Sequence, residues 1–183
     1  AVLVGDALQS LAFSLLTRPQ IGPADTRVDL VNSLASAAGA GGMVLGQAQD
    51  IAAETAAASP TLDQITELQA NKTGALIEWS CVAGAILGGK DAARMRQFAR
   101  ALGLAFQIAD DILDVEGDSE VAGKRLRKDT EAGKATFVSL LGVDGARARA
   151  AALVDEAVAA LTPFGPGAET LRQAARFAIS RRM

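Results

Sequence analysis

The 183-residue chain contains no histidine. That absence removes imidazole metal ligation and a histidine general base, and with them the Glu-x-x-His di-iron helical bundle. Cysteine occurs once, Cys81, inside an apolar run, so no disulfide framework exists and a reducing, cytoplasmic setting is expected. No secretory leader pattern opens the chain. Proline occurs five times and aromatics make up 4% of residues, whereas alanine is abundant, a composition that favours helix. The net charge of −3 offers no basic surplus for nucleic acid. Leu30 to Gln49 carries no charge, but Asn32, Ser33, Ser36, Gln47 and four glycines interrupt it. It reads as a buried, closely packed helix rather than a membrane span. The length suits one substantial core.

Helical periodicity dominates and no convincing alternating strand is visible. Gly5 to Leu16 reads as a helix ending near Arg18-Pro19. Asp25 or Thr26 is expected to cap a second helix, running to about Ala38. A glycine cluster (Gly39, Gly41, Gly42, Gly46) then allows close backbone approach. Ser59-Pro60 marks a helix start, and that helix runs through Lys72-Thr73 towards Leu87, stopping at Gly88-Gly89. Asp91 caps a long helix ending near Glu116-Gly117-Asp118. Residues 119–133 read as a loop, and shorter helices are expected at Ala135–Leu141, Asp144–Leu161 and Ala168–Arg181.

The most informative stretch is Phe106-Gln107-Ile108-Ala109-Asp110-Asp111-Ile112-Leu113-Asp114. At about 100° per residue, Gln107, Asp110, Asp111 and Asp114 fall within an arc of roughly 100°. Phe98, Leu102, Ala105, Ala109, Ile112 and Leu113 take the opposite side. Ionised groups about 5–6 Å apart on a helix repel by roughly 3 kcal/mol per pair at an effective dielectric near 20. Raised carboxylate pKa values or a divalent cation would relieve this, and oxygen-only ligands suit a hard cation such as Mg²⁺. A solvated acidic face is the plainer reading. Lys124, Arg125, Arg127, Lys128 and Lys134 follow the acids. They would either salt-bridge back over them or, with a metal, cradle a diphosphate.

Three separated motifs stand together: Asn71-Lys72-Thr73-Gly74, Phe106-Gln107-x-x-Asp110-Asp111-x-x-Asp114, and Gly123-Lys124 with Gly133-Lys134-Ala135-Thr136. With Gly5-Asp6-Ala7-Leu8 and Gly46-Gln47-x-x-Asp50, the chain resembles the trans-isoprenyl diphosphate synthases (polyprenyl synthetases), nearest the bacterial farnesyl diphosphate synthase branch. The likeness covers essentially the whole chain in motif order. It implies an all-α bundle around a central cavity, usually homodimeric, with residues 1–183 forming the C-terminal part of a single synthase domain. The implied reaction is Mg²⁺-dependent head-to-tail condensation of an allylic diphosphate (dimethylallyl or geranyl) with isopentenyl diphosphate, giving farnesyl diphosphate and diphosphate. Geranylgeranyl or geranyl diphosphate are alternative products. No membrane insertion is implied.

Carried over by motif, the resemblance implies that Asp110 and Asp114 ligate Mg²⁺, directly or through water, with two or three ions in all and Mn²⁺ as a substitute. Asp111 matches the motif but could equally orient waters or lysines. Lys72 is expected on the allylic diphosphate, and Thr73 and Gln107 near the reacting carbon. Lys124 fits a diphosphate-binding lysine, with Lys134 as a second, and Phe106 fits the cavity wall. The plainer readings are a back-bonded Thr73, a core Phe106, and Gln47 and Asp50 as a surface amide and acid. Arg181 and Arg182 resemble the family's basic C-terminal end. The family's first Asp-rich motif is not among these residues, and Arg127 stands where related sequences often carry a small residue. A terpene cyclase, a silent partner subunit of a prenyl synthase and a plain helical scaffold are the rival readings.

Overall fold

The computed structural model describes residues 2–116 and 135–180. Those residues form helices joined by short turns, with no strand among them. In chain order they are α1 (Val2–Leu16), α2 (Ala24–Ala38), α3 (Met43–Glu54), α4 (Leu62–Gln69), a π-helical turn (Ala70–Gly74), α5 (Ala75–Leu87), α6 (Ala93–Glu116), α7 (Phe137–Ala160) and α8 (Glu169–Ser180). A 3₁₀ segment, Thr162–Ala168, links the last two.

The long helix α6 is the axis of the core. It packs against α7 along one side and against α5 and the π-helical turn along the other. Phe98, Ala99, Ala105 and Ile108 of α6 are fully buried, as are Ala146 and Ala157 of α7. So many alanines at the contact let the two backbones approach closely. Phe137 and Leu161 fill the ends of this layer. On the other flank Leu30 of α2 is fully buried, and the Trp79 indole N–H donates to Ser33 Oγ at 3.0 Å, tying α5 to α2. Glu78 of α5 accepts from Arg96 Nε at 2.8 Å and Arg100 Nε at 2.6 Å, holding α5 antiparallel along α6.

The expected helices are present, but several ends move. Pro23, not Asp25 or Thr26, precedes the first residue of α2, and Asp25 lies in its first turn, where a carboxylate favours the positive end of the helix. The Ser59-Pro60 start gives way to Thr61, which shares a reciprocal capping box with Gln64; two satisfied amides outweigh a favourable proline. Thr136 does the same with Ser139, so the helix expected from Ala135 begins at Phe137. Gly142, at φ 69°, kinks α7 at the expected boundary between two helices. Asp91 does bond the Ala93 N–H, at 3.0 Å. Residues 24–54 are long and apolar enough to suggest a membrane span, with mean hydropathy 1.3 over an 18-residue window. The run is not one buried helix, because the turn at 39–42 divides it.

Candidate active site

Glycine decides how the site is assembled. A methyl group on Gly46 of α3 would lie 2.1 Å from the Lys72 nitrogen and 2.4 Å from its Cα. Only glycine lets α3 press against the π-helical turn this closely. On the other side a methyl on Gly103 of α6 would lie 3.2 Å from Gly74 Cα. The turn bearing Asn71-Lys72-Thr73 is thus clamped between two glycine contacts. The π-turn itself adds one residue to the helical repeat and re-aims the side chains beyond it, a form common at functional sites.

From this seat Lys72 Nζ reaches Asp50 Oδ2 of α3 at 2.7 Å, with the Asp50 side chain 13% exposed. Asn71 Nδ2 donates to Gln49 Oε1 at 3.0 Å. Thr73 Oγ1 lies 3.2 Å from Gln107 Oε1 on α6 and 3.5 Å from Gln69 Oε1. The structure therefore joins Asp50, Lys72, Thr73 and Gln107, which lie far apart in sequence, on one wall. Gln47 is exposed and takes no part in these contacts. Phe106 is partly buried.

Asp111 lies deeper than its two motif partners. It is 5% exposed. Its Oδ1 accepts from Gln107 Nε2 at 3.0 Å and its Oδ2 from the Phe137 N–H at 2.9 Å. The Oδ2 bond ties α6 to α7, and the Oδ1 bond fixes the Gln107 amide on α6 itself. Asp110 and Asp114, one turn apart on α6, are half-buried. Glu116 pairs with Arg147 of α7. Among the described residues no three carboxylates or thiols converge closely enough to hold an ion alone. Lys124, Lys134, Arg181 and Arg182 lie outside the described residues.

Hollows lined by described residues border this wall. One, of about 170 Å³, is lined by Asp50, Glu54, Gln69 and Ala135. Another, of about 720 Å³, lies between α2, α5 and α6 beside Asn71 and Gly74. Sequence reasoning missed Gln49, whose signal was its place beside Asp50 on the same glycine-seated helix. It also missed the tie from Asp111 to Phe137, for which no local signal exists.

The described residues are all-helical, and solved structures that the chain matches are isoprenyl diphosphate synthases. The comparisons place it there: residues 1–162 match the polyprenyl synthetase family, and the chain belongs to that family. It is 43% identical to farnesyl diphosphate synthase of Escherichia coli over 86% of this chain and 54% of that protein. It is 41% identical to chloroplastic geranylgeranyl pyrophosphate synthase of Catharanthus roseus, over 91% of this chain and 47% of that one. A crystal structure of an FPP/GFPP synthase from Zymomonas mobilis superposes with a TM-score of 0.85 at 48% identity, covering 97% of this chain and 60% of that one. The chain thus spans about half the length of the curated relatives it matches.

Proposed function

We propose that this chain is the C-terminal part of a cytoplasmic, homodimeric prenyl synthase domain that condenses isopentenyl diphosphate with an allylic diphosphate, farnesyl diphosphate being the product. The observation that carries the reading is the clamped turn: it holds Lys72 and Thr73 against the helix that bears Gln107, Asp110 and Asp114. The likeness to farnesyl diphosphate synthases supports the product, while that to a geranylgeranyl pyrophosphate synthase keeps a longer chain as the alternative. The apolar helix α1, on which no residue is buried, supports a further covering surface such as a second subunit.

The donor set fits a hard cation. Asp110 and Asp114 offer only oxygen and lie one turn apart, and Mg²⁺ characteristically takes one or two carboxylates, with substrate phosphate oxygens and water completing its shell. That also fits the lack of a self-sufficient carboxylate cage among the described residues. When bound, Mg²⁺ supplies the charge that stabilises the departing diphosphate. Lys72 leaves or shares Asp50 to bind the outer oxygens of the allylic diphosphate. Thr73 and Gln107 line the wall beside the reacting carbon, where fixed dipoles stabilise developing positive charge at little reorganisation cost. Lys124 and Lys134 serve as further diphosphate contacts.

The test is direct. The complete protein, given isopentenyl and geranyl diphosphates with Mg²⁺, is expected to release diphosphate and form a longer prenyl diphosphate, identified by chromatography. Asp110→Ala should lower turnover at least tenfold and raise the Mg²⁺ requirement. Undiminished turnover at an unchanged Mg²⁺ requirement would remove Asp110 from the metal site.

A further inference from the structure

We infer that Asp111 is a positioning residue that sets the direction of a hydrogen-bond chain running from the backbone of α7 to Thr73, and thereby the polarity of the wall facing the substrate. The inference rests on the prenyl-transfer reading above.

The direction follows from which groups can donate. The Phe137 N–H only donates, and an ionised carboxylate only accepts. One oxygen of Asp111 takes the Phe137 N–H at 2.9 Å, and the other takes Gln107 at 3.0 Å. An acceptor there requires the amide NH₂ of Gln107, which turns its carbonyl oxygen towards Thr73. That oxygen carries no proton, so the Thr73 hydroxyl donates to it at 3.2 Å. Gln69 presents a second carbonyl oxygen to the same hydroxyl at 3.5 Å. The Thr73 proton is therefore committed to the protein, and the two lone pairs of its oxygen face away from these partners.

This orientation matters for a reaction that builds positive charge on carbon. A wall of outward lone pairs and carbonyl oxygens stabilises a cation, whereas outward N–H or O–H dipoles oppose it. Gln107 turned over would set its NH₂ against Thr73 and reverse the hydroxyl. Asp111, 5% exposed and fixed by a backbone N–H, prevents that flip without contacting the reacting atoms.

Asp111→Asn in the complete protein tests the chain. The asparagine keeps an oxygen for the Phe137 N–H, so the melting temperature is expected to stay within a few degrees. Its NH₂, however, faces that of Gln107, and the Gln107 amide turns over. The expected result is a fall in kcat of about 10- to 100-fold, the usual weight of an outer-shell partner, with the KM values and Mg²⁺ requirement unchanged. In Asp111→Asn with Gln107→Glu, the new carboxylate accepts from both neighbours, and at least tenfold of the lost rate should return. Independently of activity, the ¹⁵N-labelled Gln107 side-chain amide should show one proton shifted by its bond to the Asp111 carboxylate, and that resonance should move in Asp111→Asn. Unchanged kcat with a raised Mg²⁺ requirement would make Asp111 a ligand instead. Loss of rate with no recovery in the double variant and an unaltered amide signal would reduce it to a structural contact. If the unmutated protein shows no prenyl transfer, the functional reading fails, and the amide signal alone decides whether the chain is oriented as inferred.

Discussion

Replacing Gly46 with alanine adds one methyl group at the tightest contact in the site. Its carbon would lie 2.1 Å from the Lys72 nitrogen, 2.4 Å from Lys72 Cα and 2.7 Å from Lys72 Cβ. Two of these are backbone atoms, which cannot swing aside as a flexible side chain does. To restore ordinary contact at 3.4 Å, α3 must retreat from the π-helical turn by about 1.3 Å. Asp50, one turn further along α3, moves with it, so the 2.7 Å pair with Lys72 and the 3.0 Å bond from Asn71 to Gln49 both lengthen beyond hydrogen-bond range. Overpacking of this kind costs about 1–3 kcal/mol, against which alanine recovers at most about 1 kcal/mol of helix propensity. At 2–4 °C per kcal/mol for a chain of this size, the melting temperature should fall by up to about 10 °C. Gly5→Ala, on α1 with nothing within 4 Å of the added carbon, is the control and should be neutral or slightly stabilising. Thermal unfolding followed by circular dichroism measures both, and calorimetric titration with an allylic diphosphate reports the displaced Lys72. An unchanged melting temperature together with unchanged diphosphate affinity for Gly46→Ala would refute the claim that glycine is required by the close approach.

Lys72→Ala should raise KM for the allylic diphosphate by roughly 10- to 100-fold, since hydrogen bonds to charged groups contribute about 1.5–3 kcal/mol; unchanged kinetics would leave Lys72 a surface residue paired with Asp50. Burial pushes the Cys81 thiol above its ordinary value, so less thiolate is present at any alkaline pH than in the unfolded chain. Alkylation of the native protein at pH 8.5 should therefore be slower than in denaturant. Because the folded state holds this proton more tightly, its contribution to stability is complete below the unfolded thiol pKa and declines as pH rises past it. Equal alkylation rates in the two states would show the thiol to be open to solvent.

The parts of this fold that were legible in the sequence are those governed by local periodicity. The apolar stripe around Phe98, Ala105 and Ala109 announced α6, and Asp91 announced its start, because both signals act within one or two turns. Helix starts were misplaced where two local signals competed: Thr61 with Gln64 satisfies two backbone amides, and Ser59-Pro60 offers fewer bonds. The glycine cluster suggested a close approach, but nothing in it named Lys72 as the neighbour, since that contact spans α3 and a turn more than 20 residues away. The π-turn at Ala70–Gly74 was invisible for a related reason. It sits under close contacts from α3 and α6, and no local pattern in Asn-Lys-Thr-Gly announces them.

The acid pair Asp110-Asp111 shows why the motif alone was ambiguous. Adjacent residues on a helix point about 100° apart, so the two carboxylates meet different surroundings. A helix wheel that groups them in one arc treats α6 as having one buried and one open face. Instead α6 has α7 on one flank and the π-turn and α5 on the other, and Asp110 and Asp114 lie half-buried on a strip between them. Asp111 falls on the α7 side of that strip and is spent on Phe137 and Gln107, whereas Asp110 and Asp114 share the strip itself. The doubled acid is thus split by its surroundings: one carboxylate fixes the amide beside it and ties its helix to the next, and its neighbour stays half-buried at the surface of the same helix. Removing the anchor should therefore disturb the wall around Gln107 before it disturbs Asp110 and Asp114, and that order of effects separates the two adjacent aspartates experimentally.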